Sequence, residues 1–278
     1  MLIFVVYYMG NNGNKQKKKF LYVLLVVFLV IVLIGLGCVL FIFVNNWKAQ
    51  NDYNNIKSSV EATNAQSQTS DTYDKTTGDA DLAENPIDFD SLADINDEIY
   101  AWITIPNTNV DYPVLQSKTN DLFYIDHDVN KNYLFAGSIY SELSNLRNFS
   151  DRDTVLYGHN MLDGSMFADL HKFEDEDFFN ENRYIYVYQK NRKLTYEIVS
   201  AYNYDSRHIM NSFNFADDNV FEEYINDVMN PHSSVHNVNS DVELNLDSKL
   251  LTLSTCLNGN NDGRFLVQGV LIKDEQTY

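Results

Sequence analysis

Residues 20–44, FLYVLLVVFLVIVLIGLGCVLFIFV, form a run of 25 uncharged and overwhelmingly apolar residues. A helix needs roughly 20 such residues to cross the hydrocarbon of a bilayer. Four lysines lie just before the run, in KQKKK, whereas Lys48 is the nearest basic residue after it. Because basic residues favour the cytoplasmic side, the pattern predicts a transmembrane anchor at 20–44, a cytoplasmic basic tail at 1–19 and an extracellular remainder.

The apolar run is too long for the hydrophobic region of a cleaved signal peptide, and no small-residue cleavage site follows it. We therefore expect the anchor to be retained. The first eight residues, MLIFVVYY, are also apolar and precede a polar stretch. Translation from Met9 instead of Met1 would explain them, and both starts fit the same anchor.

Residues 45–86 are polar and hold few large aliphatic side chains, as in NAQSQTSDTYDKTTGDADLAENP. Such a composition buries too little apolar surface to fold alone. We expect an extracellular polar linker at 45–86, followed by a folded domain at 87–278.

The acidic residues are concentrated in the part of the chain that follows the anchor. Residues 1–48 hold five lysines and no acid, so residues 49–278 carry 15 basic against 39 acidic residues, a net charge of −24. A domain this acidic repels phosphate backbones. Nucleic acid is therefore excluded as a partner.

The folded domain is predicted to be mainly β. The 19 Tyr and 17 Phe of the chain favour strands. Strand-like runs lie at 101–105, 110–116, 137–140, 153–159, 183–189, 193–202, 249–256 and 264–272. Eight strands with short connections predict a closed or nearly closed β-barrel.

Helical patterns are fewer than strand patterns. Leu92, Ile95 and Ile99 recur at helical spacing before the first strand, and short candidates lie at 165–171 and 174–180. A longer helix is predicted at 217–230, with Val220, Phe221, Tyr224, Ile225 and Val228 on one face. Its insertion, roughly 205–245, is long for a strand connection and is a candidate wall of a functional site.

The chain holds two cysteines, Cys38 in the apolar run and Cys256 at the end of the strand-like KLLTLSTC. Across a membrane they cannot pair, so the extracellular thiol pairs with another molecule, is a small buried hydrophobe or is a reactive group. A strand end holds a nucleophile rigidly at the surface. An ordinary thiol is only roughly a few per cent ionised at neutral pH, so a reactive Cys256 needs partners.

Six histidines are candidate partners. His159, in TVLYGHNM, also ends a strand, and two strand ends converge at one rim of a barrel. His127, flanked by acids in YIDHD, is its rival, whereas we expect His171, His232 and His236 to be surface or capping residues. Arg264 begins the strand after the Cys256 loop; it is either a strand-start cation or a donor to an oxyanion beside Cys256.

Together, YGHNM, TLSTC and an arginine opening the last strand resemble the sortases, the cysteine transpeptidases of Gram-positive cell surfaces. The resemblance spans about residues 87–273 and includes HNMLDGSMFADL and WITIPNTNVDYPVLQ. The helix-bearing insertion before the cysteine strand, with the N-terminal helix, is similar to class B. The resemblance implies an eight-stranded sortase-type barrel and makes 87–278 the catalytic domain.

The resemblance also implies residue roles. Cys256 would be the nucleophile, His159 the general acid and base, and Arg264 the oxyanion and substrate-positioning residue. Ser254 and Thr255, just before the nucleophile, would line the substrate groove. This chain departs from the pattern at Leu257, where class B members often carry an acid, so no role of that acid is carried over.

The implied reaction cleaves a C-terminal sorting motif after threonine, through a thioacyl-enzyme, and joins the protein to an amine of peptidoglycan or lipid II. Class B members are expected to take Asn-Pro-x-Thr-type motifs of secreted proteins. No cofactor is required, and no EF-hand-like ligand spacing suggests a metal site. A pilin-polymerising sortase, a membrane-anchored cysteine protease and a non-enzymatic adhesin are the alternatives.

Overall fold

The computed structural model describes residues 15–70 and 82–277. The two candidate start residues, most of the predicted basic tail and residues 71–81 of the predicted linker lie outside these ranges. The chain divides into two compact units, 1–50 and 51–278.

Helix α1, Lys15–Ser70, contains the predicted anchor. Its segment Gln16–Phe41 is long and apolar enough to cross a membrane, with a mean hydropathy of 3.4, and its side chains are exposed. This fits a single-pass anchor. The orientation across the membrane stays a prediction.

The first part of the predicted linker is helical, because α1 continues to Ser70. Tyr53 and Ile56 are buried within the second unit. The Tyr53 hydroxyl lies 3.2 Å from Gly137 O, to which it donates, and 3.1 Å from Ser138 Oγ, and its ring meets Tyr112 edge to face. The predicted linker therefore contains helical residues up to Ser70 and two buried side chains that its polar composition does not reveal, and its role as a spacer stays a prediction.

All eight predicted strands are present, and a ninth short strand was missed. In chain order they are β1 Ile99–Thr104, β2 Asp111–Leu115, β3 Ile139–Tyr140, β4 Asp153–Tyr157, β5 Tyr184–Gln189, β6 Arg192–Tyr204, β7 His236–Val238, β8 Leu250–Leu257 and β9 Asn260–Gln276. The missed strand is β7, which has only three residues and lies inside the insertion.

Eight of these strands close into a barrel. The order of neighbours is β1, β2, β3, β4, β8, β9, β6 and β5, and β5 pairs again with β1. The pairs β2–β3 and β4–β8 are parallel, and the others in the ring are antiparallel. Strand β7 pairs with β6 outside this ring. The predicted mainly β, eight-stranded barrel is confirmed.

Short helices cover the barrel. They are α2 Phe89–Ile95, a 3₁₀ helix Phe123–Ile125, a 3₁₀ helix Ala168–Glu174, α3 Glu176–Glu181, α4 Ile209–Ser212 and α5 Asp218–Met229. The predicted N-terminal helix ends earlier than the apolar spacing suggested. Asn96 caps α2 in an extended conformation, and Ile99 begins β1 instead of extending the helix.

The insertion between β6 and β8 packs on the barrel through α5. Its buried residues are Phe221, Tyr224, Ile225 and Val228, four of the five predicted. They form one cluster with barrel side chains that include Val155, Val199, Leu250, Leu266 and Val270. The insertion is therefore anchored to the strands that carry the candidate cysteine.

A buried polar network ties α5 to β4 and β8. Asp153 is fully buried and accepts hydrogen bonds from the Tyr224 hydroxyl at 2.7 Å and from Thr252 Oγ1 at 2.9 Å. Gln268 Nε2 donates to the Tyr224 hydroxyl and to Thr252 Oγ1, each at 2.8 Å. Burial raises the pKa of Asp153 to about 6 from an ordinary 3.8, although the two hydrogen bonds oppose the rise.

We expect this carboxyl to make the domain less stable as pH rises from about 4 to about 6. Its pKa is higher in the folded chain than in the unfolded chain, so its stabilising contribution is complete at low pH and is lost as it ionises. The loss is about 3 kcal/mol. Urea unfolding of the wild type and Asp153→Asn over this range measures it: the wild type should lose stability relative to the variant, and parallel curves would contradict the assignment.

Candidate active site

Strand pairing brings Cys256 and His159 to the same edge of the sheet. In the parallel pair β4–β8, Tyr157 lies opposite Ser254, and the Gly158 amide donates to Ser254 O at 3.2 Å. His159 and Cys256 each follow two residues later. Because the carboxyl ends of neighbouring parallel strands meet at one edge, both side chains lie at the same rim of the barrel.

Arg264 lies directly across the β8–β9 hairpin from Cys256. The strand begins earlier than predicted, since β9 starts at Asn260 and not at Arg264, which leaves a turn of Asn258 and Gly259. Arg264 is half-buried, and its Nη1 donates to Gly263 O at 3.0 Å. The hairpin thus holds a guanidinium beside the thiol.

A cavity of about 100 Å³ is lined by all five residues to which the sortase resemblance assigns a role, His159, Ser254, Thr255, Cys256 and Arg264. It is lined by Ile125, Tyr140, Tyr157, Gly158, His159, Ser254, Thr255, Cys256 and Arg264. Within the described ranges no group of three or more His, Cys, Asp or Glu side chains is arranged to hold a metal ion.

Two residues that line this cavity, Tyr157 and Thr255, carry buried hydroxyl oxygens. Neither has a hydrogen-bond partner within the part of the chain that the structure describes. Buried polar groups are almost always paired, so these two hydroxyls are exceptions within the described residues. The role of Thr255 in binding a peptide stays a prediction.

The His159 ring is held on two sides. Its Nε2 lies 2.8 Å from Ile125 O, and the ring stacks on Phe135 with a centroid distance of 5.7 Å. A carbonyl oxygen only accepts, so Nε2 carries the hydrogen and Nδ1 is the nitrogen that can exchange a proton. The ring is therefore held in one orientation, and its role in acid and base chemistry stays a prediction.

The rival His127 does not line the cavity. Its Nδ1 lies 2.8 Å from Phe123 O and 2.7 Å from Asp126 Oδ1, and its ring stacks on Phe123. His208 lies 2.7 Å from Glu142 Oε1. Geometry therefore favours His159 over both.

Of the three histidines expected at the surface, His232 and His236 are exposed. The expectation for His171 is wrong. Its side chain is only 10% exposed, and its Nε2 lies 2.9 Å from Cys256 O. A 3₁₀ helix places it under the end of β8, a tertiary contact that its local sequence does not reveal.

Tyr140 and Tyr157, which the sequence pattern did not single out, also line the cavity, and their rings are stacked. Burial is the main cause that raises the pKa of both hydroxyls, and Glu142 raises both further. Arg264 opposes the rise, and the charge of Cys256 adds to it at Tyr140. Both tyrosines therefore stay neutral. The available signal was the spacing in the predicted strand 153–159, where Tyr157 and His159 are two residues apart and would share a face.

Gly158, the residue before His159, lies where a side chain would not fit. A Cβ there would lie 2.6 Å from Ile139 Cδ1 and 2.8 Å from the Phe167 ring. We expect Gly158→Ala to cost about 1–3 kcal/mol of stability, because it overpacks a fixed site. Thermal unfolding measures this cost, and turnover reports the displacement of His159.

Ile139→Val removes the atom nearest to that added Cβ. The double variant Gly158→Ala/Ile139→Val should therefore regain part of the stability lost in Gly158→Ala. Additive losses would show that crowding against Ile139 is not the cause.

Comparisons with known proteins match most of the folded domain. A family model described as the sortase domain matches residues 103–272. Sortase B of Listeria monocytogenes is 35% identical over 183 residues, which cover 65% of this chain and 72% of that protein. The range of the family model therefore includes every residue that lines the candidate site.

Solved structures extend the likeness to the fold. Sortase B of Clostridium perfringens is 34% identical, with a TM-score of 0.61, and the match covers 67% of this chain and all of that one. A sortase B–substrate complex of Staphylococcus aureus is 26% identical, with a TM-score of 0.65, and covers 83% of this chain and 99% of that one. The chain accordingly belongs to the sortase family of transpeptidases, in class B.

Proposed function

We propose that this chain is a cysteine transpeptidase that cleaves a C-terminal sorting motif after threonine and joins the new carboxyl end to an amine of peptidoglycan or lipid II. Cys256 is the nucleophile, His159 the general acid and base, and Arg264 the donor to the oxyanion. Ser254 and Thr255 line the peptide groove. The cavity that these five residues share is the observation that carries the proposal.

The first half of the reaction forms a thioester. The Cys256 thiolate attacks the threonine carbonyl carbon, and the negative charge that develops on the carbonyl oxygen is stabilised by the Arg264 guanidinium. The C–N bond then breaks, and His159 gives its Nδ1 proton to the leaving amine. The acyl group remains on the sulfur.

The second half transfers the acyl group. The acceptor amine attacks the thioester carbon, and His159, now neutral, accepts the amine proton. The C–S bond breaks, and the thiolate returns with the imidazolium. The thioester conserves the energy of the cleaved amide, so the exchange requires neither ATP nor a cofactor.

The proposed setting is a cell surface. Helix α1 anchors the chain, with the N-terminus in the cytoplasm and the catalytic domain outside, as the lysines before the apolar run favour. The substrates are secreted proteins that carry the sorting motif. The substrate complex of the Staphylococcus aureus sortase B supports this class of partner.

Product analysis tests the reaction type. The full-length chain in detergent micelles is incubated with peptides carrying Asn-Pro-x-Thr, Pro-Pro-x-Thr or Leu-Pro-x-Thr motifs, with and without triglycine, and the products are identified by mass spectrometry. A transpeptidase gives a threonine-to-glycine amide that appears only with the acceptor. A free threonine carboxylate in equal yield under both conditions would instead show a protease.

A second acceptor tests the alternative that the chain is a pilin-polymerising sortase. A pilin-polymerising enzyme would prefer the side-chain amine of a lysine within a folded protein over triglycine. We expect triglycine to be the better acceptor. Preference for the lysine would move the chain to the pilin-polymerising type.

A further inference from the structure

A second histidine contacts the nucleophile from beneath the strand. His171 Nε2 lies 2.9 Å from the carbonyl oxygen of Cys256, and its ring stacks on Phe265 with a centroid distance of 4.9 Å. Asn160 Nδ2 donates to the same oxygen at 3.1 Å and to Asn258 Oδ1 at 2.9 Å. Two side chains thus share the Cys256 carbonyl as their acceptor.

The partners of His171 hold the ring at both nitrogens. Nδ1 lies 2.5 Å from Glu174 Oε1. A carbonyl oxygen only accepts hydrogen bonds, so Nε2 is the donor to Cys256 O, while Nδ1 faces the Glu174 carboxyl group. The distance of 3.1 Å between Asn160 Nδ2 and His171 Nε2 follows from the acceptor they share. A charge-assisted bond accounts for the close approach of Glu174.

The contact is made where the β8–β9 ladder is interrupted. Cys256 pairs with Arg264, but Leu257 pairs with Asn260, so the register shifts between Cys256 and Leu257. At such a bulge the regular ladder of backbone hydrogen bonds is disrupted. His171 and Asn160 then hold the peptide group that carries the nucleophile, where a misplacement of about 1 Å would cost about a hundredfold in rate.

We propose that His171, charged by its pair with Glu174, is a positioning residue for Cys256. It fixes the Cys256 carbonyl together with Asn160, and its positive charge next to that residue favours the thiolate over the thiol. The inference rests on the proposed function only in taking Cys256 as the nucleophile. His171 itself does not contact the reacting atoms.

Two substitutions separate the charge from the hydrogen bond. Glu174→Gln keeps an acceptor for Nδ1 but removes the carboxylate that stabilises the imidazolium. His171→Phe keeps the stacking on Phe265 and removes both the charge and the donor. His232→Phe is the matched control, because that side chain is 92% exposed and lies outside the cavity.

The readout is the rate at which iodoacetamide alkylates Cys256 in the full-length chain, followed by mass spectrometry of the peptide that contains it. At neutral pH we expect His171→Phe to slow alkylation about tenfold and Glu174→Gln to slow it by a smaller factor. For peptide cleavage, kcat should fall while KM stays within about twofold. His232→Phe should match the wild type.

A purely structural role of His171 predicts that alkylation of Cys256 is not slowed in either variant. Loosening the strand end would expose the thiol, so both variants would alkylate as fast as the wild type or faster, at temperatures well below their unfolding midpoints. A wild-type alkylation rate in either variant overturns the proposal. If the wild type fails to cleave any peptide, the proposed function fails, but the order of alkylation rates still decides the role of His171.

Discussion

Replacing His159 with alanine is expected to slow peptide cleavage by about a thousandfold, within the range of 10²–10⁴ that general acid–base catalysis supplies. Two effects combine. The leaving amine loses its proton donor, and Cys256 loses the base that accepts its proton. The initial rate of cleavage of the best motif peptide measures the loss, and KM should change little because His159 is oriented toward proton transfer through Nδ1.

The matched control is His127→Ala. His127 was the rival on sequence grounds, but it contacts Phe123 O and Asp126 and does not line the cavity. We expect this variant to retain the wild-type rate within about threefold. Equal losses in the two variants would refute the assignment of His159, and a larger loss in His127→Ala would reverse it.

Replacing Arg264 with alanine is expected to lower kcat by about 10²–10³, which is the cost of removing one donor to a developing oxyanion. Arg264→Lys should recover only part of the loss. An ammonium keeps the charge, but it lacks the planar fork of donors that a guanidinium presents. Single-turnover acylation, followed by quenched-flow mass spectrometry, isolates the step in which the oxyanion forms.

The control for Arg264→Ala is Arg183→Ala, which removes a positive charge away from the cavity. Arg183 lies over the Phe179 ring, 5.6 Å from the ring centroid, and does not line the cavity. Arg183→Ala should acylate at the wild-type rate. If Arg264→Lys acylated as fast as the wild type, charge alone would suffice, and the donor role would be wrong.

The barrel was predictable because its strands carry a local sequence signal. Runs such as RYIYVYQ and KLLTLSTC are rich in β-branched and aromatic residues or in alternating apolar residues, and each became a strand within a few residues of its predicted ends. The convergence of His159 and Cys256 followed from their places at two strand ends. What pattern alone did not supply was the parallel pairing of β4 with β8, which depends on contacts distant in sequence.

The misses share a cause, which is burial decided by tertiary contacts. Ile99 continues a helical spacing in the sequence, yet the Asn96 cap ends the helix and β1 begins at Ile99. Tyr53 lies in a polar stretch but is buried against Gly137 and Ser138. His171 has the sequence context of a surface residue but lies under the nucleophile.

The central claim is that Cys256 forms a thioester with its substrate, and one measurement tests it directly. The full-length chain in detergent micelles is mixed with a motif peptide, quenched in acid and analysed by intact mass and peptide mapping, alongside Cys256→Ala and Cys38→Ala. We predict an adduct that ends at the motif threonine, located on Cys256, retained in Cys38→Ala and lost in Cys256→Ala. Peptide cleavage that persists in Cys256→Ala, or an absence of any adduct on Cys256 across the motif panel, would contradict the account.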